Sequence, residues 1–151
     1  MAENGLHDHV GYWLRRLSDE VHTAFERQLA TRDLTVAQWS VLVTVYHGHA
    51  TTTTAAAKFI GIDPGAVSRL VDRLSAKGLM TRSPDPASRR RVQLELTARG
   101  RALVPSLIGI ADRNDATFFE ALTPKERAAL LSGLKRLLPA KPSDTKEASH
   151  A

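Results

Sequence analysis

Two groups of arginines are the residues of this chain best suited to recognition chemistry. Arg69 and Arg73 lie one helical turn apart in the run D-P-G-A-V-S-R-L-V-D-R-L-S-A-K-G-L, residues 63–79. Arg89, Arg90 and Arg91 are consecutive in D-P-A-S-R-R-R-V-Q-L-E-L-T, residues 85–97. A guanidinium is always charged and presents a planar fork of N–H donors, which suits phosphate oxygens and the major-groove edge of guanine. Their surroundings carry the same bias. Residues 58–101 hold ten basic side chains against four acids, a net of +6, while the rest of the chain nets −1. The whole charge excess therefore sits in one central block, as an electrostatic footprint for nucleic acid would.

The elements around these arginines are those that position a groove-binding helix. Asp63 reads as a helix N-cap and Pro64 as its first residue, where a missing N–H costs nothing. Val67, Leu70, Val71 and Leu74 share the inward face, which leaves Ser68, Arg69, Asp72 and Arg73 outward. Gly78 ends this helix. A shorter helix over residues 55–60 precedes it, capped from within Thr51–Thr54 and closed by Gly61, so the two form a helix-turn-helix pattern. Residues 79–83 and 91–96 read as strands, the second alternating Val92, Leu94 and Leu96 with polar residues. The stretch between them, starting Pro84-Asp85-Pro86, reads as an open loop. Together the strands and loop form a wing.

Longer helices flank this unit. Val10, Trp13, Leu14, Leu17, Val21, Phe25 and Leu29 form an apolar stripe through residues 6–30. Thr35 and Gln38 make a capping box for the next helix, with Leu34 and Trp39 as its staple and Trp39, Leu42, Val43 and Tyr46 as its buried side. Thr97 caps a fifth helix running to about residue 121, with Leu103, Val104, Leu107, Ile108, Ala111 and Phe118 among its apolar positions. Thr123, Pro124 and Glu126 open a sixth, carrying Leu130, Leu131, Leu134, Leu137 and Leu138. The first, fifth and sixth helices bear more apolar surface than the central unit can cover, which predicts a two-fold dimer. The fold class is mainly α with a small β wing: a winged helix-turn-helix over residues 35–97, flanked by dimerisation helices over 6–34 and 98–138. A disordered tail is expected over 139–151.

Several function classes are disfavoured. No cysteine is present, which excludes disulfides, thiol chemistry and thiolate-held zinc. There is no Gly-rich phosphate loop and no G-x-S-x-G, and the acids are mostly isolated on helix surfaces, so no enzyme is expected. His7 with His9, and His47 with His49, are spaced for an extended loop rather than a helix face, and no metal site is expected. No segment reaches the roughly 18 apolar residues needed to span a bilayer. The first eleven residues lack an export signal, so a cytoplasmic location is the expectation.

In this order of elements, the chain resembles the MarR family of transcriptional regulators. The resemblance runs from Val10 to Leu138 and is most specific in the two runs quoted above and in L-T-P-K-E-R, residues 122–127. It implies a homodimer on a pseudo-palindromic DNA operator, normally a repressor, released by a small effector. Gly65 and Ala66 would let the helix backbone approach the major groove. Ser68 would read a base or a phosphate; Arg69 would hold a guanine or only a phosphate, and Arg73 either. The family's wing arginine, held by an aspartate two residues earlier, falls on Arg90, with Arg89 and Arg91 as phosphate contacts. The aspartate position is Ser88, a departure that removes the ion pair unless Asp85 supplies it. An effector between the dimerisation helices and the DNA lobe would meet Trp13, Arg16, Trp39, Val43, Asn114 and Phe118. The arginine and the indoles suit a small aromatic acid, and core packing or surface exposure is the alternative role for each.

Overall fold

The computed structural model describes residues 2–139, with Arg89 described by its backbone alone. A 3-10 turn, Leu6–Asp8, leads into α1 (Val10–Ala30), α2 (Val36–Tyr46), α3 (Thr53–Ile60) and α4 (Pro64–Ala76). Strands β1 (Met80–Asp85) and β2 (Ser88–Leu96) follow, then α5 (Ala98–Phe119) and α6 (Pro124–Leu137). All but one of the sequence-predicted tail residues lie outside the described ones.

Local chemistry starts and stops these helices. Thr35 Oγ1 accepts the Gln38 N–H at 3.1 Å while Gln38 Oε1 accepts the Thr35 N–H at 3.2 Å, the expected capping box. The Asp63 carboxylate accepts the Ala66 N–H at 3.1 Å and so opens α4. Gly61 closes α3 at φ 91°, a left-handed conformation that favours glycine. Thr52 is the residue that caps α3. The expected start of α1 at residue 6 is corrected to Val10. Asp8 takes the Gly5 N–H at 2.8 Å and His9 Nδ1 lies 2.8 Å from the Gly5 carbonyl, which closes a separate turn there.

The core lies between the helix-turn-helix, the base of the wing and the neighbouring parts of α1, α2 and α5. Leu29, Leu42, Val67, Leu74, Leu94 and Leu107 are fully buried within it. Each such side chain contributes roughly 1.5–3 kcal/mol relative to exposure. On α2 the buried residues are Gln38, Val41, Leu42, Thr44 and Val45, whereas Trp39, Val43 and Tyr46 are half-buried, a correction to the expected face. That helix is apolar nearly all round, so its periodicity does not select one side. On α1 only Phe25 and Leu29 are buried.

The wing differs from the expected open loop. β1 and β2 pair antiparallel out to Asp85 and Ser88, leaving Pro86 and Ala87 as a tight turn. Proline is tolerated here because β1 is an edge strand, with one side free of ladder partners. The register breaks between Pro84, opposite Val92, and Asp85, opposite Ser88. Arg89, Arg90 and Arg91 lie within that break. On its far side β2 meets the segment before α3, where the Leu94 N–H reaches the Thr51 carbonyl at 2.6 Å. The wing joins α5 very closely: a Cβ on Gly100 would lie 2.0 Å from the Leu79 carbonyl oxygen, so only glycine fits.

A second compact unit begins at Asp115. In it α6 opens with the expected box, Thr123 Oγ1 accepting the Glu126 N–H at 3.2 Å, and Arg127 pairs with Asp115. No residue of α6 is buried.

Candidate nucleic-acid interface

The exposed face of α4 begins at its capped N-terminus. Gly65, Ala66 and Ser68 are half-buried, and Arg69 and Arg73 are exposed. A Cβ on Gly65 would stand 3.5 Å from Arg69 Nη1 and 2.8 Å from Asp63 Oδ2. The Arg69 guanidinium thus lies over the bare backbone of Gly65 in the first turn, beside the Asp63 carboxylate that caps it. Arg90 and Arg91 are exposed on the wing. Among the described residues no carboxylate pairs with Arg69, Arg73, Arg90 or Arg91. Four guanidinia without internal partners keep their donors for an anion outside the protein.

The acid position of the wing is resolved at the level of hydrogen bonds. Ser88 Oγ accepts the backbone N–H of Arg90 at 3.4 Å, so the serine touches the main chain of that arginine and not its guanidinium. Among the described side chains, Asp85 pairs with no wing arginine. Its carboxylate accepts the Ala87 N–H at 2.9 Å and is spent on holding the turn.

Sequence reasoning missed Arg82 at this surface. Arg82 on β1 extends to α4, where it pairs with Asp72 and donates to the Ser68 carbonyl at 3.4 Å. Asp72 is legible as an outward-facing acid beside Arg69 and Arg73. No local signal connects it with an arginine ten positions later on another element. A further link secures the far end of α4: Lys77 donates to the Asp33 carbonyl and to Gln38 Oε1, the latter at 3.1 Å. That ties the end of α4 to the turn between α1 and α2 and to α2 itself.

The six candidate effector residues are dispersed in role. Trp13 and Arg16 come together on the exposed half of α1, with the guanidinium 5.9 Å from the ring centroid. They line an open depression of about 270 Å³ with Leu17 and Glu20. Trp39 packs edge-on to Phe25 at 4.9 Å, and its indole N–H is buried without a partner. Val43 packs half-buried against the core. Asn114 is buried and uses both ends of its amide, accepting from Gln28 Nε2 at 3.0 Å and donating to the Val21 carbonyl at 3.3 Å, which fastens α5 to α1. Phe118 is half-buried further along α5. None of Trp39, Val43, Asn114 and Phe118 lines the depression at Trp13 and Arg16.

Comparison with known proteins agrees with this architecture. A family model described as the MarR family matches residues 34–92. The multiple antibiotic resistance protein MarR of Escherichia coli is 30% identical over 133 residues, covering 86% of this chain and 91% of MarR. The chain belongs to the MarR family of transcriptional regulators. The segment matched by the MarR-family model contains all of α2, α3, α4 and β1, and hence Arg69, Arg73, Arg82 and the wing arginines. Two solved structures share this fold at TM-scores of 0.84 and 0.78. The first is Bordetella bronchiseptica BpsR, described with regulation of its DNA binding by 6-hydroxynicotinic acid; it is 31% identical, covering 93% of this chain and all of that one. The second is a mutant E. coli MarR complexed with operator DNA, 28% identical, covering 86% of this chain and 94% of that one. Among the described residues no helix is long and apolar enough to cross a membrane.

Proposed function

We propose that this MarR-family protein is a ligand-responsive repressor that binds a pseudo-palindromic DNA operator as a homodimer. One observation carries the DNA reading: α4 and the wing expose four arginines without internal partners. The α4 N-terminus enters the major groove with Gly65, Ala66, Ser68 and Arg69, and Arg73 follows one turn behind. The wing carries Arg90 to the minor groove, with Arg89 and Arg91 on phosphates. Bending or narrowing of that groove adds to the attraction. The complex of E. coli MarR with operator DNA supports this assignment by fold and family.

The homodimer reading is supported by the apolar residues exposed on α1 (Val10, Trp13, Leu14 and Leu17) and on and just after α6 (Leu130, Leu131, Leu137 and Leu138). Clustered exposed apolar residues on each helix are what an interface needs. We assign residues 6–34 and 98–138 to dimerisation and 35–97 to DNA binding. The effector is a small aromatic acid, its carboxylate on Arg16 and its ring against Trp13. BpsR, whose DNA binding responds to 6-hydroxynicotinic acid, supports that ligand class.

The test is a selection from a pool of random-sequence duplexes, followed by affinity measurements at one fixed salt concentration. A selected two-fold symmetric duplex should bind at least about a thousandfold more tightly than a random duplex of equal length. Equal binding would sink the specific-repressor reading. 6-Hydroxynicotinic acid and benzoic acid, titrated into the complex, should release the DNA, and an inert response to both would remove the effector class.

A further inference from the structure

We propose that Arg82 is a positioning residue of the DNA interface, whose bridge to Asp72 sets the angle between the wing and the recognition helix. The inference rests on the reading that the α4 face and the wing meet DNA together. Two observations lead to it. Among the described side chains the outer wing shows no ion pair: Asp85 accepts the Ala87 N–H, Ser88 holds only the backbone of Arg90, and the ladder breaks at Pro84 and Asp85. The base of the wing, in contrast, is fastened. Arg82 spans from β1 to α4 and makes both an ion pair with Asp72 and a hydrogen bond to the Ser68 carbonyl.

Placement explains why the link matters for binding more than for folding. Both side chains are substantially exposed, at 36% for Arg82 and 66% for Asp72. An ion pair of that exposure adds little to folding stability. Ser68 and Asp72 share the outward face of α4 with Arg69 and Arg73, so DNA docking removes the pair from water and strengthens it. Asp72 is also the acid within α4 itself, the Asp63 carboxylate at its start being engaged with the Ala66 N–H. Left without Arg82, it would oppose the phosphates that the neighbouring arginines attract. The bridge thus neutralises the acid and holds the wing at one fixed height over the helix. Here a base-level clamp does for the wing what an aspartate at position 88 would do at its tip.

A double-mutant cycle on the selected duplex tests this, with Arg82→Ala, Asp72→Asn and their combination measured at several salt concentrations. Arg82→Ala should weaken binding about tenfold, the coupling usual for residues in direct contact. The dependence of affinity on salt should keep its slope. In the Asp72→Asn background the same substitution should cost less than about twofold, because the partner it acts through is gone. A phosphate contact behaves differently: Arg82→Ala would cost the same in both backgrounds and reduce the salt slope by about one. Either that pattern or unchanged affinity overturns the proposal. Should Arg82→Ala also lower the unfolding midpoint, Arg82→Lys decides. Its ammonium keeps the pair with Asp72, so affinity should recover, and failure to recover counts against the clamp. A pool that enriches no sequence fails earlier and overturns the repressor reading on which the clamp depends.

Discussion

The winged helix-turn-helix and the N-terminal half of α1 use similar apolar residues to opposite ends. In the former, Leu42, Val67, Leu74 and Leu94 are each no more than 1% exposed. In the latter, Val10 is 78% and Leu14 47% exposed, and on α6 Leu137 reaches 77%. One region closes a core inside a single chain. The other presents a stripe that its own chain leaves open. The difference teaches that an amphipathic pattern states how much surface must be covered without stating by what. It also divides the labour: the closed region presents a rigid cationic face, and the open ones are where a second copy docks in the proposed dimer.

The contrast is sharpened most severely at its closed end. Leu74→Ala removes a fully buried side chain from α4 and should cost about 3 kcal/mol of stability, read from urea denaturation. A loss below about 1 kcal/mol would mean that the core relaxes freely and is not closed as described. Gly100→Ala comes next. The added methyl collides with the backbone carbonyl of Leu79, and a destabilisation of about 2 kcal/mol is expected despite the better helix propensity of alanine. A neutral or stabilising result would show that α5 can draw away from the wing.

At the open end, Leu14→Glu should leave the unfolding profile of the isolated chain intact and raise the dimer dissociation constant by at least about tenfold in sedimentation. If the protein sediments as one chain before mutation, the stripe has another role and the comparison breaks. The smallest effect is expected on the exposed wing. Arg90→Ala should weaken binding to the selected duplex by about fivefold, with circular dichroism unchanged. No change in affinity would remove Arg90 from the interface.

Much of this architecture was legible because it is written at short range. The boxes at Thr35 and Thr123, the cap at Asp63 and the stop at Gly61 depend on residues three or four positions apart, and each is satisfied as the pattern predicts. The outward residues of α4 are legible for the same reason, since Val67, Val71 and Leu74 determine which side is left outward. The wing was read less well. Pro84 and Pro86 signal a loop, but an unpaired outer edge lets β1 continue through Pro84 to a two-residue turn. The burial of α2 was also misread, because a helix with apolar residues on most sides carries no directional signal.

Helix limits, caps and the concentration of positive charge in residues 58–101 are thus properties of the chain as written, since they follow from neighbouring dihedrals and from composition. Burial and partnership are not. Arg82 meets Asp72 from another element, Lys77 finds Asp33 across 44 positions, and Asn114 finds Gln28 across 86. Such contacts exist only after α1, α4, α5 and the wing have packed together, because a side chain's partner depends on where whole elements come to rest. For the same reason Phe25 and Leu29 enter the core while Val10 and Leu14, on the same stripe of the same helix, stay in solvent. The stripe is continuous along α1, and the surface available to cover it ends part-way.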